Sequence, residues 1–308
     1  MNPEAMKPYG LALSDYDKGN VSATLIIYRD DGRRDELPMS TFFRQPQEYE
    51  LERTALDLCY GHVLDVGAGA GIHTLFLQER GSLVCAIDVS PEAVQIMQKR
   101  GVLDVRQADI LSFEDGEFDT VIMMGHGIGV VENIRGLVSF LEYVPGLLKT
   151  NGQILLTSLD IRVTNDPTHL EYQKENLNSG RYFGEIRMQF EYRNMRGSLF
   201  GWLHIDAETL SSYASKTGWN CEVVQQQPDG NYLARLTKRH RQWSLWTRTT
   251  HLGVLSLPPA VYFPRVFPSN LTVSGSRAVH ASALSFSYPT KLFQDSLAVG
   301  DTSGNFVQ

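Results

Sequence analysis

The chain is 308 residues long, 42% hydrophobic and 20% charged, with a net charge of −7, so it has enough apolar material for one large domain or two small ones. No run approaches the ~18 consecutive apolar residues that a membrane-spanning helix needs, and an acidic balance disfavours nucleic acid, whose phosphates call for a positive surface. Three cysteines, Cys59, Cys85 and Cys221, are too few and too scattered for a disulfide framework or a zinc site, and no metal is expected.

The first twenty residues are polar and broken by Pro and Gly, unlike the apolar core of a secretory leader, so a soluble cytoplasmic protein is expected. Residues 22–42 read as a hairpin: the β-formers of SATLIIYR, a DDGR turn, and a second arm running to Phe42 and Phe43. A short helix follows over 48–58, with Leu51, Ala55 and Leu58 on one face. From there strand and helix alternate. HVLDVG is a buried strand, IHTLFLQERG a helix closed by Gly81, and SLVCAIDV a second strand. Ser90 is the expected N-cap of the next helix, with Pro91 at its first position. VLDVRQAD and FDTVIMM are strands three and four. Residues 132–149 are amphipathic and end at Thr150, Asn151 and Gly152, and QILLTSL is strand five. Alternating units with near-continuous apolar strands predict a parallel sheet covered on both faces.

The pattern then changes. Residues 187–193 and 198–204 flank the turn 194–197 and read as a hairpin. Asp206 is placed to cap the helix AETLSSYASKTG. The last two strands, NCEVVQQQ and YLARLTK, meet at the turn Pro228, Asp229, Gly230 and would close the parallel sheet with an antiparallel edge pair.

A seam falls near residue 240. Residues 1–240 hold 23 basic and 33 acidic residues, a net of −10, whereas 241–308 hold 5 and 2, a net of +3, with ten Ser and five Pro. The tail lacks a sustained period of 2 or 3.6 and reads as an accessory β segment, a poorly ordered extension, or a stretch with no selected fold. The expected organisation is a cap with a β-hairpin over 1–47, a main domain of alternating strands and helices over 48–240, and this low-charge tail.

Strand one runs into Asp65, Val66, Gly67, Ala68, Gly69, Ala70 and Gly71. Glycines there let the backbone turn sharply and approach a ligand at the start of the next helix. The dinucleotide fingerprint G-x-G-x-x-G fails by one residue, because its sixth position is Ile72. An acid leading the loop would repel a pyrophosphate and suit a cationic ligand. Asp88 ends the second strand, where a carboxylate accepts hydrogen bonds from both ribose hydroxyls. Asp109 follows the third strand, where a carboxylate can hold an exocyclic adenine amine. The two together mark a cleft along the carboxyl edge of the sheet.

The segments VLDVGAGAG, AIDVSPEAV, QADI and LLKTNGQILLTSLD, in this order and spacing, resemble the successive motifs of the class I S-adenosylmethionine-dependent methyltransferases, from about residue 48 to 238. The resemblance implies an α/β, Rossmann-like fold: a seven-strand sheet, mostly parallel with an antiparallel edge hairpin, and helices on both faces. It also implies S-adenosyl-L-methionine as cofactor. The cofactor's methionine end is then expected near Asp65, Gly67, Ala68, Gly69 and Gly71, its ribose on Asp88 beside Val89, and its adenine near Asp109 and Ile110. Residues 22–44 and 181–204 lie outside the shared core, and such additions in this family usually cover the substrate, here as a β-rich cap.

A sulfonium methyl group is already a strong electrophile, so the enzyme's work is mainly to hold nucleophile, methyl and leaving sulfur in line. A general base is needed only where the acceptor must lose a proton. Gly125 and His126, in the loop after strand four, sit at the expected active-site edge, with His126 the candidate base. Methyltransferases acting on amide or base nitrogens often carry Asn/Asp-Pro-Pro-aromatic there, and this chain does not. Arg44 is a candidate for the cofactor carboxylate, and Tyr182, Arg187, Trp202 and His204 are candidates to line the acceptor pocket. The expected acceptor is a small molecule, with no nucleic acid and no membrane as partner; the oligomeric state is left open. The competing readings are a non-catalytic binder of the same cofactor and an NAD-dependent oxidoreductase.

Overall fold

The computed structural model describes residues 2–239; the tail expectation for 241–308 lies outside them. Two sheets organise the described residues. The larger has seven strands in the order β11-β12-β7-β6-β3-β4-β5. Strands β3 (His62–Val66), β4 (Leu83–Asp88), β5 (Asp104–Gln107), β6 (Phe118–Met123) and β7 (Leu148–Leu159) run parallel. Antiparallel β11 (Trp219–Gln226) and β12 (Asn231–Lys238) close one edge. This is the Rossmann-like sheet that the alternating pattern and the family resemblance led one to expect.

The central strands are apolar on both faces because helices cover both. Leu64, Val121, Met123, Ile154 and Leu156 point to one side, against Leu137, Phe140 and Leu141 of α5 (Ile134–Tyr143) and Leu210 and Ala214 of α7 (Ala207–Lys216). Their neighbours Val63, Ile122 and Leu155 point to the other, against Leu51, Ala55 and Leu56 of α2 (Glu50–Leu58) and Leu77 of α3 (Ile72–Glu79). Each fully buried Leu, Ile or Phe contributes about 1.5–3 kcal/mol. Ser90 caps α4 (Pro91–Lys99) by accepting from Ala93 N, and Asp206 caps α7 by accepting from Glu208 N and Thr209 N.

Two boundaries differ from expectation. The second arm of the N-terminal hairpin, expected to run to Phe42 and Phe43, ends at Pro38, and Met39–Phe42 form a 3-10 turn. The helix over 132–149 is α5 followed by a 3-10 turn, Val144–Leu147, with Pro145 in its first turn. Residues 150–152, expected to end the helix, belong to β7 and form an irregularity where Phe118 pairs with Leu148 but Thr120 pairs with Gln153.

The second sheet joins segments far apart in sequence. β1 (Thr24–Arg29) pairs antiparallel with β2 (Arg34–Pro38) on one side and with β8 (Glu185–Tyr192) on the other; β10 (Phe200–Leu203) continues the order, and the short β9 (Met195–Arg196) pairs with β8. The N-terminal hairpin and the 181–204 segment therefore make a single cap sheet, with Ile27 opposite Phe190.

Two helices were not legible from periodicity. The first, α1 (Lys7–Asp17), carries Pro8 in its first turn, where a missing N–H is tolerated. Its Gly10 packs so closely on Ser90 and Glu92 that a Cβ would overlap both side chains, and Lys7 Nζ reaches Glu92 at 2.5 Å. The residues that look like breakers thus allow a close helix crossing. The second, α6 (Pro167–Asn178), is announced by Asp166 as N-cap and Pro167 at the first position. Among the described residues, no helix is long and apolar enough to cross a membrane.

Candidate active site

A cavity of about 280 Å³ lies at the carboxyl ends of β3, β4, β5 and β6, between the large sheet and the cap sheet. Parallel strands make this edge the natural site, because every strand ends there in a loop that opens a helix.

The loop after β3 turns on three left-handed glycines, Gly67 (φ 69°), Gly69 (φ 58°) and Gly71 (φ 79°). Gly67 N and Ala68 N bond Ile87 O at 2.9 and 3.1 Å, which ties the loop to β4. Gly67 and Ala68 reach the cavity wall; Gly69 and Gly71 do not and instead shape the loop. Gly71 packs on Met97 and Val102, while a Cβ at Gly69 would stand 2.9 Å from the Tyr9 hydroxyl.

Asp88 lines the cavity at 6% exposure. Its Oδ2 accepts from Gly69 N at 2.9 Å and its Oδ1 from Ser90 N at 2.8 Å. Burial pushes its carboxyl up to about 6, against the pull of those N–H groups. A carboxylate has about four acceptor positions, so these bonds leave acceptor capacity for a ligand. Val89 lies beside it on the wall. Farther along, Asp109 accepts from Leu111 N at 2.9 Å and caps the 3-10 turn Ile110–Ser112; both Asp109 and Ile110 line the cavity.

The opposite end carries a charged group gathered from four segments. Arg44 grips Glu52 of α2 through two contacts at 2.6 and 2.7 Å. His73 of α3 lies 3.0 Å from the same carboxylate, and Asp65 at the end of β3 accepts from Thr74 Oγ1 at 2.7 Å. Burial would raise Glu52, but His73 and then Arg44 overcome it and hold the carboxyl down to about 2. Burial opposes charging of His73, yet Glu52 and Asp65 raise it above the usual imidazole value. All four side chains line the cavity. This end of the cavity therefore presents a guanidinium, an imidazole and two carboxyl groups side by side.

Between the two ends, Gly125 and His126 enter from the loop after β6. His126 sits in the left-handed region at φ 60°, its N–H donating to Thr157 Oγ1 at 3.0 Å. Its Nε2 lies 2.6 Å from Asn231 Oδ1. The His204 ring meets it edge-on at 5.4 Å. Burial lowers His126 below the usual imidazole value, and burial and then His126 lower His204 well below it, so both rings are neutral at pH 7. Trp202 completes this wall with Met188 and Phe190.

The expected residues therefore divide. Arg44, Trp202 and His204 join the glycine loop and acids around the cavity; Tyr182 and Arg187 do not line it. The Tyr182 hydroxyl donates to Asp206 Oδ2 at 2.6 Å, which props the start of α7. Arg187 stands on the outer face of β8, half-exposed and paired with Asp30, because strand alternation sends Ile186, Met188 and Phe190 inward. That same alternation could have singled out Met188 and Phe190. Tyr9, Asp35, Glu52 and His73 also line the cavity, and no local pattern marks them.

Comparisons with known proteins agree with this fold. Residues 63–152 match the family described as Methyltransferase domain. A SAM-dependent methyltransferase from Bacteroides fragilis, solved with S-adenosyl-L-homocysteine, is 35% identical, with 78% of this chain and 98% of that one covered and a TM-score of 0.69. A ubiquinone biosynthesis O-methyltransferase of Xanthomonas euvesicatoria pv. vesicatoria is 31% identical over 123 residues, 37% of this chain and 50% of that protein. A 2-heptyl-1-hydroxyquinolin-4(1H)-one methyltransferase of Mycobacteroides abscessus is 36% identical over 86 residues, 25% of this chain and 38% of that protein. The chain spans about half the length, or less, of these curated relatives.

Proposed function

The chain belongs to the S-adenosylmethionine-dependent methyltransferases, and from that premise we propose that its acceptor is a small molecule presenting a hydroxyl group on an apolar, ring-like body. The cofactor is S-adenosyl-L-methionine, which excludes the NAD-dependent alternative. When bound, it supplies an electrophilic methyl on a sulfonium sulfur that leaves with the electron pair.

The residues present fit that group. Asp88, with its remaining acceptor capacity, would hold the ribose hydroxyls. Ala108, Asp109 and Ile110 would flank the adenine, and Gly67 and Ala68 would lie along the chain between the two ends. Asp65 would face the α-ammonium, and Arg44, held by Glu52, the α-carboxylate.

The observation that carries the acceptor reading is the neutral pair His126 and His204 on a wall shared with Trp202 and Phe190. An aliphatic or phenolic hydroxyl attacks well only as it loses its proton, and a neutral imidazole can take it. The contact of Nε2 with the Asn231 side chain holds the ring in place against the cavity. The aromatic wall would orient a flat acceptor and exclude water, which is where most of the rate is gained.

The test is a thermal shift of the full chain with S-adenosylmethionine, its demethylated product and NAD in parallel. Turnover of phenols, catechols and primary amines, followed by release of the demethylated product, comes next. Ligand at about 100 times its dissociation constant adds roughly 2.7 kcal/mol. A shift with the first two ligands and turnover of hydroxyl compounds is expected. Methylation of amines alone would overturn the acceptor reading, and binding without turnover of any acceptor would favour a non-catalytic cofactor binder.

A further inference from the structure

The cap-sheet side chains that line the cavity, Ile27, Leu37, Met188, Phe190 and Trp202, are apolar or aromatic but for the carboxylate of Asp35. Along β2 the side chains alternate: Arg34 and Glu36 are exposed and paired with each other at 2.9 Å, while Asp35 and Leu37 turn to the cavity. Asp35 stands opposite Ile27 of β1, which on its other side stands opposite Phe190 of β8, and all three line the cavity. Placing a carboxylate in such a row costs desolvation energy unless something offsets it; burial does raise the Asp35 pKa, against Arg33 beside it.

The offset within the protein is incomplete. Arg33 lies 3.2 Å from Asp35, but it also holds Asp166 at 2.8 Å. Arg29 is engaged by Asp31 at 2.6 Å. His169 in the same group contributes no charge at pH 7, since burial and then Arg33 and Arg29 push it down to about 4. The adjoining Asp30 and Arg187 cancel each other. Asp31, Asp35 and Asp166 thus share two guanidinium groups, leaving one negative charge in excess, and Asp35 is the member of the group that faces the cavity. His126 enters from a different wall, the loop after β6.

We infer that Asp35 selects the acceptor by binding a protonated amine that the acceptor carries away from the hydroxyl to be methylated. The inference rests on the hydroxyl reading above only for the other end of the acceptor. A cationic group supplies the missing charge and a charge-assisted hydrogen bond, whereas a neutral acceptor leaves Asp35 desolvated against apolar atoms.

The probes are tyramine, 4-ethylphenol and phenethylamine, titrated calorimetrically into the full chain saturated with S-adenosylhomocysteine. Tyramine is expected to bind about tenfold more tightly than 4-ethylphenol, or better. Asp35→Asn brings that ratio close to one. Arg33→Gln, which leaves the carboxylate in place and removes its countercharge, widens it. A ratio near or below one in the wild-type protein, including failure of both probes to bind, overturns the inference, as does a ratio that persists in Asp35→Asn. Turnover with S-adenosylmethionine separates the two readings. Amine-dependent binding with methylation of phenethylamine sinks the hydroxyl reading and leaves the Asp35 role standing; equal use of tyramine and 4-ethylphenol does the reverse.

Discussion

His126 Nε2 and Asn231 Oδ1 lie 2.6 Å apart, joining the loop that leaves β6 to the first residue of β12. The contact fixes the ring of a residue whose backbone is held at φ 60°, a conformation that non-glycine residues adopt at a cost. If His126 takes the acceptor's proton, His126→Phe should lower kcat about 100-fold or more. Asn231→Leu should lower it less, because the base remains but its orientation loosens. Cofactor affinity should hold in both. Because burial lowers the His126 pKa, the neutral ring persists below pH 6.5, and the acidic limb of the kcat profile should fall below that value. A limb above pH 7, or a His126→Phe enzyme of full activity, would remove the residue from the chemistry.

Asp88 spends one lone pair of each oxygen on the glycine loop and Ser90. Asp88→Ala removes those bonds together with the acceptor capacity assigned to the ribose. Cofactor binding should weaken by about 1.5–3 kcal/mol, or roughly ten- to a hundredfold, read by calorimetry. Unchanged affinity would take Asp88 out of the site.

Glu52 is fully buried and serves two cations, so Glu52→Gln should cost about 3–5 kcal/mol of stability in denaturant titrations. Its pH dependence has two edges. Glu52 titrates near 2 when folded against 4.5 when unfolded, so its contribution is complete above 4.5 and is lost as pH falls toward 2. His73 is raised above 6.5, so its contribution is complete below 6.5 and is lost as pH rises through the raised value. The stability gap between wild type and Glu52→Gln should therefore be widest between pH 4.5 and 6.5 and narrow on both sides. A gap that does not change with pH would mean the ion pair is not what Glu52 contributes.

Gly129, in the 3-10 turn Gly127–Val131, lies against the indole of Trp202, and a Cβ there would overlap the ring. Gly129→Ala should displace Trp202 from the cavity wall. The acceptor KM should rise and kcat/KM fall by about ten- to a hundredfold, with cofactor affinity little changed. An equal loss of cofactor binding would show that the whole cleft had shifted.

The large sheet and the cavity wall formed by the glycine loop and the strand-end acids were legible in the sequence, and the reason is locality. Each of Asp65, Asp88 and Asp109 lies at or just after the end of its own strand, and parallel strands bring those ends to one edge whatever the helices do. Glycines 67, 69 and 71 announce their left-handed turns because few other residues tolerate them. The wall formed by the cap sheet and the loop after β6 had no such local sign. Ile27 meets Phe190, and His126 meets Asn231, only after the chain has closed. The pairing of β1 with β8 is set by which apolar faces remain to be buried, not by either strand alone.

The sequence by itself therefore determined the strand-and-helix alternation, the glycine loop and the acids along the carboxyl edge, all within segments a few residues long. Only the tertiary structure decided that Arg187 faces outward while Asp35 faces the cavity, and that Tyr182 supports a helix. It also decided that α1, despite Pro8 and Gly10, brings Tyr9 over the glycine loop. The direction of a side chain on a cap strand depends on the register of its partner, and a helix with a weak local pattern is stabilised by what it packs against. Neither cause is written in the segment where its effect appears.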